Sequence, residues 1–330
     1  MENLLIVAKQ VVILFLLMGI GFFLRRRRIL DEASSKGIVD LLILFVTPTV
    51  IVEAFMRPFD PAMMKGLGIA FGLSVFGHVL VIVLAWLFVR HWADDTRRVL
   101  RVAAVFSNAG FMGIPLEQAI LGDRGVFFGT AYIVVFNLFI WSWGYGVMKK
   151  NEECRMKNEE CGMKNEEWRR EKGAKKFLSP TFFNPGTVGL TLGLVFFLLP
   201  WDVPEVIRTP IRAMAGMNTP LAMIVIGYYL AGAKLGAVLR MRAAWVSAAI
   251  RLVGYPLLMT AAIWPFRRSL DRDMMLALVI ASAAPVAAMV SMFAAKFERD
   301  VDASVGLVSG TTLLSVLTMP PVVALAMHLL

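Results

Sequence analysis

The stretch Phe106-Ser107-Asn108-Ala109-Gly110-Phe111-Met112-Gly113-Ile114-Pro115-Leu116 lies inside an apolar segment and should interrupt its helix. Proline within a helix removes a backbone hydrogen bond and clashes with the preceding turn, which costs about 3 kcal/mol. Gly110 and Gly113 add backbone freedom just before Pro115. We expect this stretch to be non-helical, with Pro115 near the first position of a new half-helix, where proline is favoured.

A later apolar segment contains a similar stretch, Ser282-Ala283-Ala284-Pro285, and we expect a second break there. Two further segments each contain a Thr-Pro pair, at Pro48 and Pro220. The interval from Pro48 to Pro115 is 67 residues, and the interval from Pro220 to Pro285 is 65 residues. This matched spacing predicts that the chain consists of two related halves.

The composition is typical of a membrane protein. Hydrophobic residues make up 58% of the 330 residues and charged residues 18%, whereas soluble domains are nearer about 45–50% apolar and about 25% charged. The apolar residues fall into blocks of about 20 residues, the length of a membrane-spanning helix. We predict an all-α integral membrane protein with ten transmembrane helices, at roughly 4–24, 38–56, 66–89, 101–121, 125–147, 184–200, 206–232, 242–264, 273–296 and 303–328.

Lysine and arginine are distributed unevenly among the predicted loops. Alternate loops contain 24 of the 34 basic residues, and the intervening loops contain eight. Because cytoplasmic loops collect basic residues, this bias predicts that both termini lie outside the cell membrane. Topology therefore explains the net charge of +10, and no nucleic-acid partner is expected. The first apolar block is followed rather than preceded by basic residues, which predicts a retained helix in the inner membrane.

A polar segment, 149–183, divides the predicted spans into two sets of five. It contains a seven-residue repeat at 151–157, 158–164 and 165–171 that lacks the apolar pattern of a coiled coil. Its two cysteines, Cys154 and Cys161, have no third metal ligand beside them. We predict a solvated cytoplasmic linker between a first five-helix repeat, 1–148, and a second, 184–330.

An odd number of spans in each half places the second half upside down in the membrane, as in many secondary transporters. The two repeats are then inverted, and their broken helices, spans four and nine, cross near the bilayer centre. Each helix start carries unpaired N–H groups and roughly half a positive charge. Two such starts form an anion site. The predicted substrate-binding residues there are Asn108, Gly110, Gly113, Pro115, Ala284 and Pro285.

Four other polar residues within the spans are candidates for the same site. Arg251 lies in the middle of span eight, where a charge is costly and therefore a functional candidate. We predict that it binds the anion, with structural pairing as the alternative. Thr47, Asn218 and Thr219 lie beside the prolines of spans two and seven, where they either line the cavity or bond to their own helices. Asn108 likewise either donates to a carboxylate or satisfies the broken backbone.

The pattern favours a secondary carrier over an enzyme. The three histidines are scattered, and no His-Glu-x-x-His motif is present. No carboxylate pair lies at the bilayer centre, so a coupling Na⁺ or H⁺ would use backbone carbonyls and hydroxyls, and no other cofactor is expected. The alternatives are a uniporter or exporter of an amphipathic weak acid and a non-transporting membrane sensor or scaffold.

Several motifs resemble those of the auxin efflux carrier family, which includes plant auxin exporters and bacterial permeases described as malonate transporters. Asn108 to Leu116, followed by Gly122, resembles the family's Asn-x-Gly-x-x-Gly-x-Pro-Leu pattern. Asn184-Pro185, the Asn-Thr-Pro-Leu-Ala-Met run at 218–223 and the Ala-Ala-Pro at 283–285 also fit. The resemblance covers essentially all of the chain except the repeated linker.

This resemblance implies a fold like that of the bile-acid/sodium symporters, with a panel domain, a core domain and elevator-type alternating access. It implies a small organic anion as the substrate, such as a mono- or dicarboxylate resembling malonate, bound near Asn108. The sequence leaves open whether the protein forms a homodimer in the lipid bilayer.

Overall fold

The computed structural model describes residues 2–89, 94–149, 185–199, 203–232 and 241–330, and this part of the chain is helical. Asn184 and the linker with Cys154 and Cys161 lie outside the described residues. The helices of the first half are α1 (Glu2–Arg26), α2 (Glu32–Leu41), α3 (Thr47–Phe55), α4 (Pro61–Phe88), α5 (Asp94–Val105), α6 (Ile114–Phe139) and α7 (Tyr145–Met148). Those of the second half are α8 (Pro185–Leu198), α9 (Glu205–Gly216), α10 (Asn218–Ala231), α11 (Arg242–Ala249), α12 (Tyr255–Ile263), α13 (Arg272–Ala283), α14 (Met289–Lys296) and α15 (Val301–Leu329).

The chain is an all-helical, multi-pass membrane protein. Within the described residues, seven helical segments are long and apolar enough to cross a bilayer: Leu4–Arg26, Glu32–Phe55, Pro61–Phe88, Ala109–Met148, Glu205–Ala231, Ala244–Phe266 and Val301–Leu329. Large apolar side chains such as Leu5, Leu16 and Leu317 are about 70% exposed, at 72%, 68% and 73%. Such surfaces are stable in contact with lipid but not with water.

Three of the ten predicted spans coincide with interrupted or short helices. Span four is broken at 106–108, between α5 and the π-helical turn Ala109–Gly113 that leads into α6. Span nine is broken at 284–288, between α13 and α14. Span six corresponds to α8, which has 14 residues. The count of ten spans therefore remains a prediction.

Gly122 bends the longest of the apolar segments. Its φ of 65° and ψ of −159° lie in a region that residues with a side chain rarely adopt. This bend falls between predicted spans four and five, so one run of helix contains the second half of span four and all of span five.

Three π-helical turns each end two residues before a proline. They are Leu42–Val46 before Pro48, Ala109–Gly113 before Pro115 and Ile250–Gly254 before Pro256. A proline ring clashes with the carbonyl four residues earlier in an α-helix. The wider π turn moves that carbonyl away, so the helix continues through the proline with a local distortion.

Helices α1 and α10 pack with their backbones in direct contact at two glycines. A Cβ atom at Gly21 would lie 1.9 Å from the carbonyl oxygen of Ile224, and a Cβ atom at Gly227 would lie 1.9 Å from that of Met18. Glycine at both positions is therefore required for this pair of helices.

Helices α3 and α8 pack in the same manner. A Cβ atom at Gly189 would lie 2.8 Å from the Cα of Pro48, and one at Gly193 would lie 3.0 Å from the ring of Phe55. Small residues at such contacts allow close helix packing where lipid provides no hydrophobic driving force.

The buried apolar side chains form two clusters. The larger cluster surrounds α4, α5, α6 and α13. The smaller one contains residues of α1, the Leu42–Val46 turn and α10, together with Met112, Leu116, Ile280 and Ala284 of the interrupted helices. The second cluster is thus the surface on which α1 and α10 contact the two breaks.

Candidate functional site

The two helix breaks lie side by side and pair through their backbones. The N–H of Asn108 donates to the carbonyl oxygen of Pro285 at 2.7 Å, and the N–H of Ala287 donates to that of Phe106 at 2.9 Å. Ser107 and Val286 form an isolated antiparallel bridge between these two bonds. The interruptions deprive backbone N–H and C=O groups of their partners within the helices, and this pairing provides new partners. Leaving such groups unpaired in a buried position is costly.

One hydroxyl side chain supports each break from a neighbouring helix. The Tyr132 hydroxyl on α6 lies 3.0 Å from Oγ of Ser107, and the N–H of Val286 donates to Oγ1 of Thr311 on α15 at 3.1 Å. Tyr132 is fully buried and Thr311 is 1% exposed. Sequence analysis missed both residues, because an isolated Tyr or Thr in an apolar span usually bonds within its own helix.

The first break is shorter than the sequence predicted. Its non-helical residues are 106–108, whereas Gly110 and Gly113 belong to the π-helical turn that runs into α6. Pro115 is the second residue of α6 rather than the start of the half-helix. The prediction was wrong here because the π turn accommodates Pro115, so the helix resumes directly after the paired residues.

The half-helix therefore starts at Asn108. The Asn108 carbonyl accepts bonds from the N–H groups of Met112 at 2.9 Å and Gly113 at 3.3 Å. The N–H groups of Ala109, Gly110 and Phe111 precede Met112, the first donor within the helix, so among the described residues they are the unpaired donors of its first turn. The Asn108 side chain makes no capping hydrogen bond to this turn.

Open space lies beside the first turn of this half-helix. An added Cβ atom at Gly110 would have no neighbour within 4 Å, whereas one at Gly113 would lie 3.6 Å from the Cα of Ala281. Gly110 therefore borders open space, and Gly113 packs against α13.

Arg251 lies behind the crossing. Its guanidinium donates to the carbonyl oxygen of Val105 at 2.7 Å and to that of Ser282. Val105 is the last residue of α5, and Ser282 is the last but one of α13. The side chain is fully buried, and its guanidinium carbon lies 4.7 Å from the centre of the Tyr255 ring. Arg251 thus caps the C-terminal ends of both first half-helices.

A family model described as "Membrane transport protein" matches residues 6–323. The chain belongs to this family. The match confirms the resemblance to the auxin efflux carriers, and it identifies the chain as a membrane transporter in permanent contact with the bilayer. A search of curated proteins finds no match.

The structure joins four of the predicted site residues of this membrane transport protein at the crossing. Asn108 and Gly110 form the first turn of the half-helix, Pro285 is bonded to Asn108, and Ala284 is the extended, fully buried residue that ends α13. Arg251 contacts the C-terminal ends of the two half-helices that enter the crossing, not the starts of those that leave it, so the geometry favours the structural alternative for this residue.

Thr47 and Asn218 lie on helices that contact the crossing region. Helix α10 packs against both the Ala109–Gly113 turn and the Leu42–Val46 turn. Asn218, the first residue of α10, is 1% exposed, and within the described residues neither atom of its amide group has a hydrogen-bond partner. The Thr47 hydroxyl likewise has none there. Thr219 is half-buried beside Asn218. These unpaired polar atoms make the α10 side of the crossing a candidate cavity wall.

A groove with a mostly apolar lining lies elsewhere. It has a volume of about 600 Å³ and is lined by apolar residues of α3, α8 and their neighbours, such as Val52, Leu192 and Ile211. None of the predicted site residues lines it. Apart from Thr49, whose hydroxyl donates to the carbonyl oxygen of Phe45, the residues that line it are apolar.

Proposed function

We propose that the protein is a secondary transporter that moves a small organic anion, such as a mono- or dicarboxylate resembling malonate, across the cytoplasmic membrane by alternating access. The observation that carries this proposal is the crossing of two interrupted helices in an apolar fold. Unwound backbone inside a membrane protein is tolerated where it is paired or lines a cavity. The half-helix starts at such a crossing favour anionic ligands.

Asn108 and the first turn after it provide the donors in this proposal. The free N–H groups of Ala109, Gly110 and Phe111 and the amide of Asn108 form a set of neutral donors that suits a carboxylate. Helix α14 supplies the second start, after Ala287. Thr47, Asn218 and Thr219 would face the rest of the anion from the α10 side.

Arg251 strengthens the same site from behind. The C-terminal end of a helix carries roughly half a negative charge, so the ends of α5 and α13 together present about one unit of negative charge. The single guanidinium of Arg251 balances them. Because the negative charge of the helix ends is neutralised, it does not offset the attraction between the anion and the positive helix starts on the other side of the crossing.

Two inverted five-helix repeats are the arrangement that we propose for the whole chain, and three matched sets of contacts support it. Helix α1 packs on α10 through glycines, as α8 packs on α3. Tyr132 supports the first break from the next helix, as Thr311 supports the second.

Ion pairs provide the third matched set. Arg124, which follows the first broken helix, pairs with Asp271 and with Asp273 at 3.2 Å, at the start of the second broken helix. Arg299, which follows the second broken helix, pairs with Asp95 at the start of the first. In an inverted repeat these two sets of ion pairs lie on opposite sides of the membrane, which agrees with ten spans.

Transport by the purified protein in liposomes tests the proposal. Labelled malonate and other mono- and dicarboxylates would be screened with imposed sodium and proton gradients. A hydrogen bond to a charged group contributes about 1.5–3 kcal/mol, so Asn108→Ala should weaken the apparent affinity for the transported anion roughly 10- to 100-fold.

Asn137→Ala is the matched control, because Asn137 lies on α6 and donates to the carbonyl of Ile133 in its own helix at 2.9 Å. It should transport like the wild type. Unchanged transport by Asn108→Ala, or no transport of any carboxylate by the wild type, would contradict the proposal.

A further inference from the structure

Glu117 has a buried carboxyl group, one oxygen of which has no hydrogen-bond partner among the described residues. It lies on α6, nine residues beyond Asn108, and is 1% exposed. Among the described residues it is the one buried aspartate or glutamate, and its Oε2 atom has no hydrogen-bond partner there. An ionised carboxylate in such surroundings is strongly disfavoured.

The Glu117 carboxyl group packs closely against two glycines. A Cβ atom at Gly129 would lie 2.1 Å from Oε2, and one at Gly113 would lie 3.8 Å from Oε1. The carboxyl group thus fills the space where Gly129 lacks a side chain. The described residues contain no cluster of three or more acidic, histidine or cysteine side chains that would add charged ligands for a cation.

The titratable groups on neighbouring helices do not pair with this carboxyl oxygen. Those on the helices packed against α6 are Lys65 and His78 on α4, Glu53 on α3, Lys9, Arg25 and Arg26 on α1, Tyr228 and Tyr229 on α10, and Arg272 and Asp273 on α13. On α6 itself, Asp123 and Arg124 lie at the Gly122 bend, and Tyr132 contacts Ser107.

We propose that Glu117 is the proton-binding site that couples transport to the proton gradient. This inference rests on the proposed function, and it selects H⁺ over Na⁺ as the coupling ion. Leu116 and Met112, on the same half-helix, belong to the cluster that contacts α1 and α10. Opening of that contact during alternating access would admit water to this half-helix. Glu117 then releases its proton to water and takes one up again before it is reburied, and only an O–H bond breaks and forms.

Infrared spectroscopy of the purified protein in lipid at pH 7 tests the proton site without any substrate. The wild type and the control Asp123→Asn should both show the band of a protonated carboxyl group, and Glu117→Gln should lose it. Asp123 is an exposed residue of the same helix, bonded to Gln118 at 2.8 Å. An equal band in Glu117→Gln, or none in the wild type, would overturn the proposal.

Transport in liposomes tests the coupling, with labelled malonate or whichever carboxylate the wild type moves. An imposed pH gradient should cause wild type and Asp123→Asn to accumulate the label several-fold. Glu117→Gln should exchange labelled for unlabelled anion yet lose this accumulation. Accumulation by Glu117→Gln, or accumulation by the wild type that follows sodium alone, would overturn the coupling. If the wild type moves no carboxylate, both the coupling and the proposed function are wrong. The infrared result still decides, independently of transport, whether Glu117 holds a proton.

Discussion

Arg251 and Glu117 are both buried in the membrane part of the chain, and the fold treats their charges differently. The guanidinium cannot lose its proton, and it is balanced by the carbonyl ends of two helices. The carboxyl group has no such partner and can be neutral instead. An ionisable residue buried within a membrane span is therefore a candidate for a functional or structural role, and its hydrogen-bond partners decide which of the two it has.

Replacement of Arg251 by methionine should destabilise the folded protein more than it alters substrate affinity. Two buried carbonyls would lose their donor, and each unsatisfied group costs about 1–3 kcal/mol. Arg251→Met should lower the melting temperature in detergent by several degrees, measured by intrinsic tryptophan fluorescence, and Arg251→Lys should recover part of the loss because it keeps the charge.

Arg212→Met is the matched control, because Arg212 is largely exposed and bonds Glu53 at 3.3 Å. Its melting temperature should match that of the wild type, since exposed ion pairs contribute little. A wild-type melting temperature for Arg251→Met, combined with a raised KM for the anion, would instead make Arg251 a substrate ligand.

Residue types alone predicted where Arg251 lies but not what it binds. Its depth followed from its place within an apolar span, whereas its acceptors, the carbonyls of Val105 and Ser282, become available only where two helices end beside it. Glu117 received no role for a related reason. In the sequence, a single glutamate near the end of a span is typical of a residue at the membrane interface. Only the packing of Gly129 against the Glu117 carboxyl group shows that it is buried.

At the scale of helices, the prolines predicted both interruptions, but the backbone pairing decided their boundaries. Pro285 ends its helix and supplies the carbonyl that Asn108 bonds. Pro115 does not end its helix, because the π turn Ala109–Gly113 relieves its clash. Sequence patterns predict that a proline distorts its helix. Whether the distortion is a π turn or a break depends on the backbone segment that packs beside it.

The first turn of the half-helix at Asn108 should be sensitive to bulk. Gly110→Leu would fill the open space beside the free N–H groups, so we expect at least a tenfold loss of anion uptake in liposomes with normal protein yield. Gly68→Leu on α4 is the matched control, because Gly68 is exposed and also has no neighbour within 4 Å of an added Cβ atom. Equal transport by both variants would show that the anion lies elsewhere.

At the scale of the whole molecule, composition was sufficient to predict an all-helical membrane protein, and the family match agrees. The matched proline intervals led to the two-repeat hypothesis before any contact was known. The close glycine contacts of α1 with α10 and of α3 with α8 could not be predicted from the chain alone, because they depend on which helices become neighbours.

The central claim is that the paired helix breaks hold a carboxylate at the start of the half-helix that follows Asn108. An experimental structure with the transported carboxylate bound tests this most directly. We predict that the carboxylate oxygens lie within hydrogen-bond distance of the Asn108 amide and the N–H groups of Ala109 to Phe111. A bound carboxylate away from these groups, or helices that run unbroken through residues 106–108 and 284–288, would contradict the account.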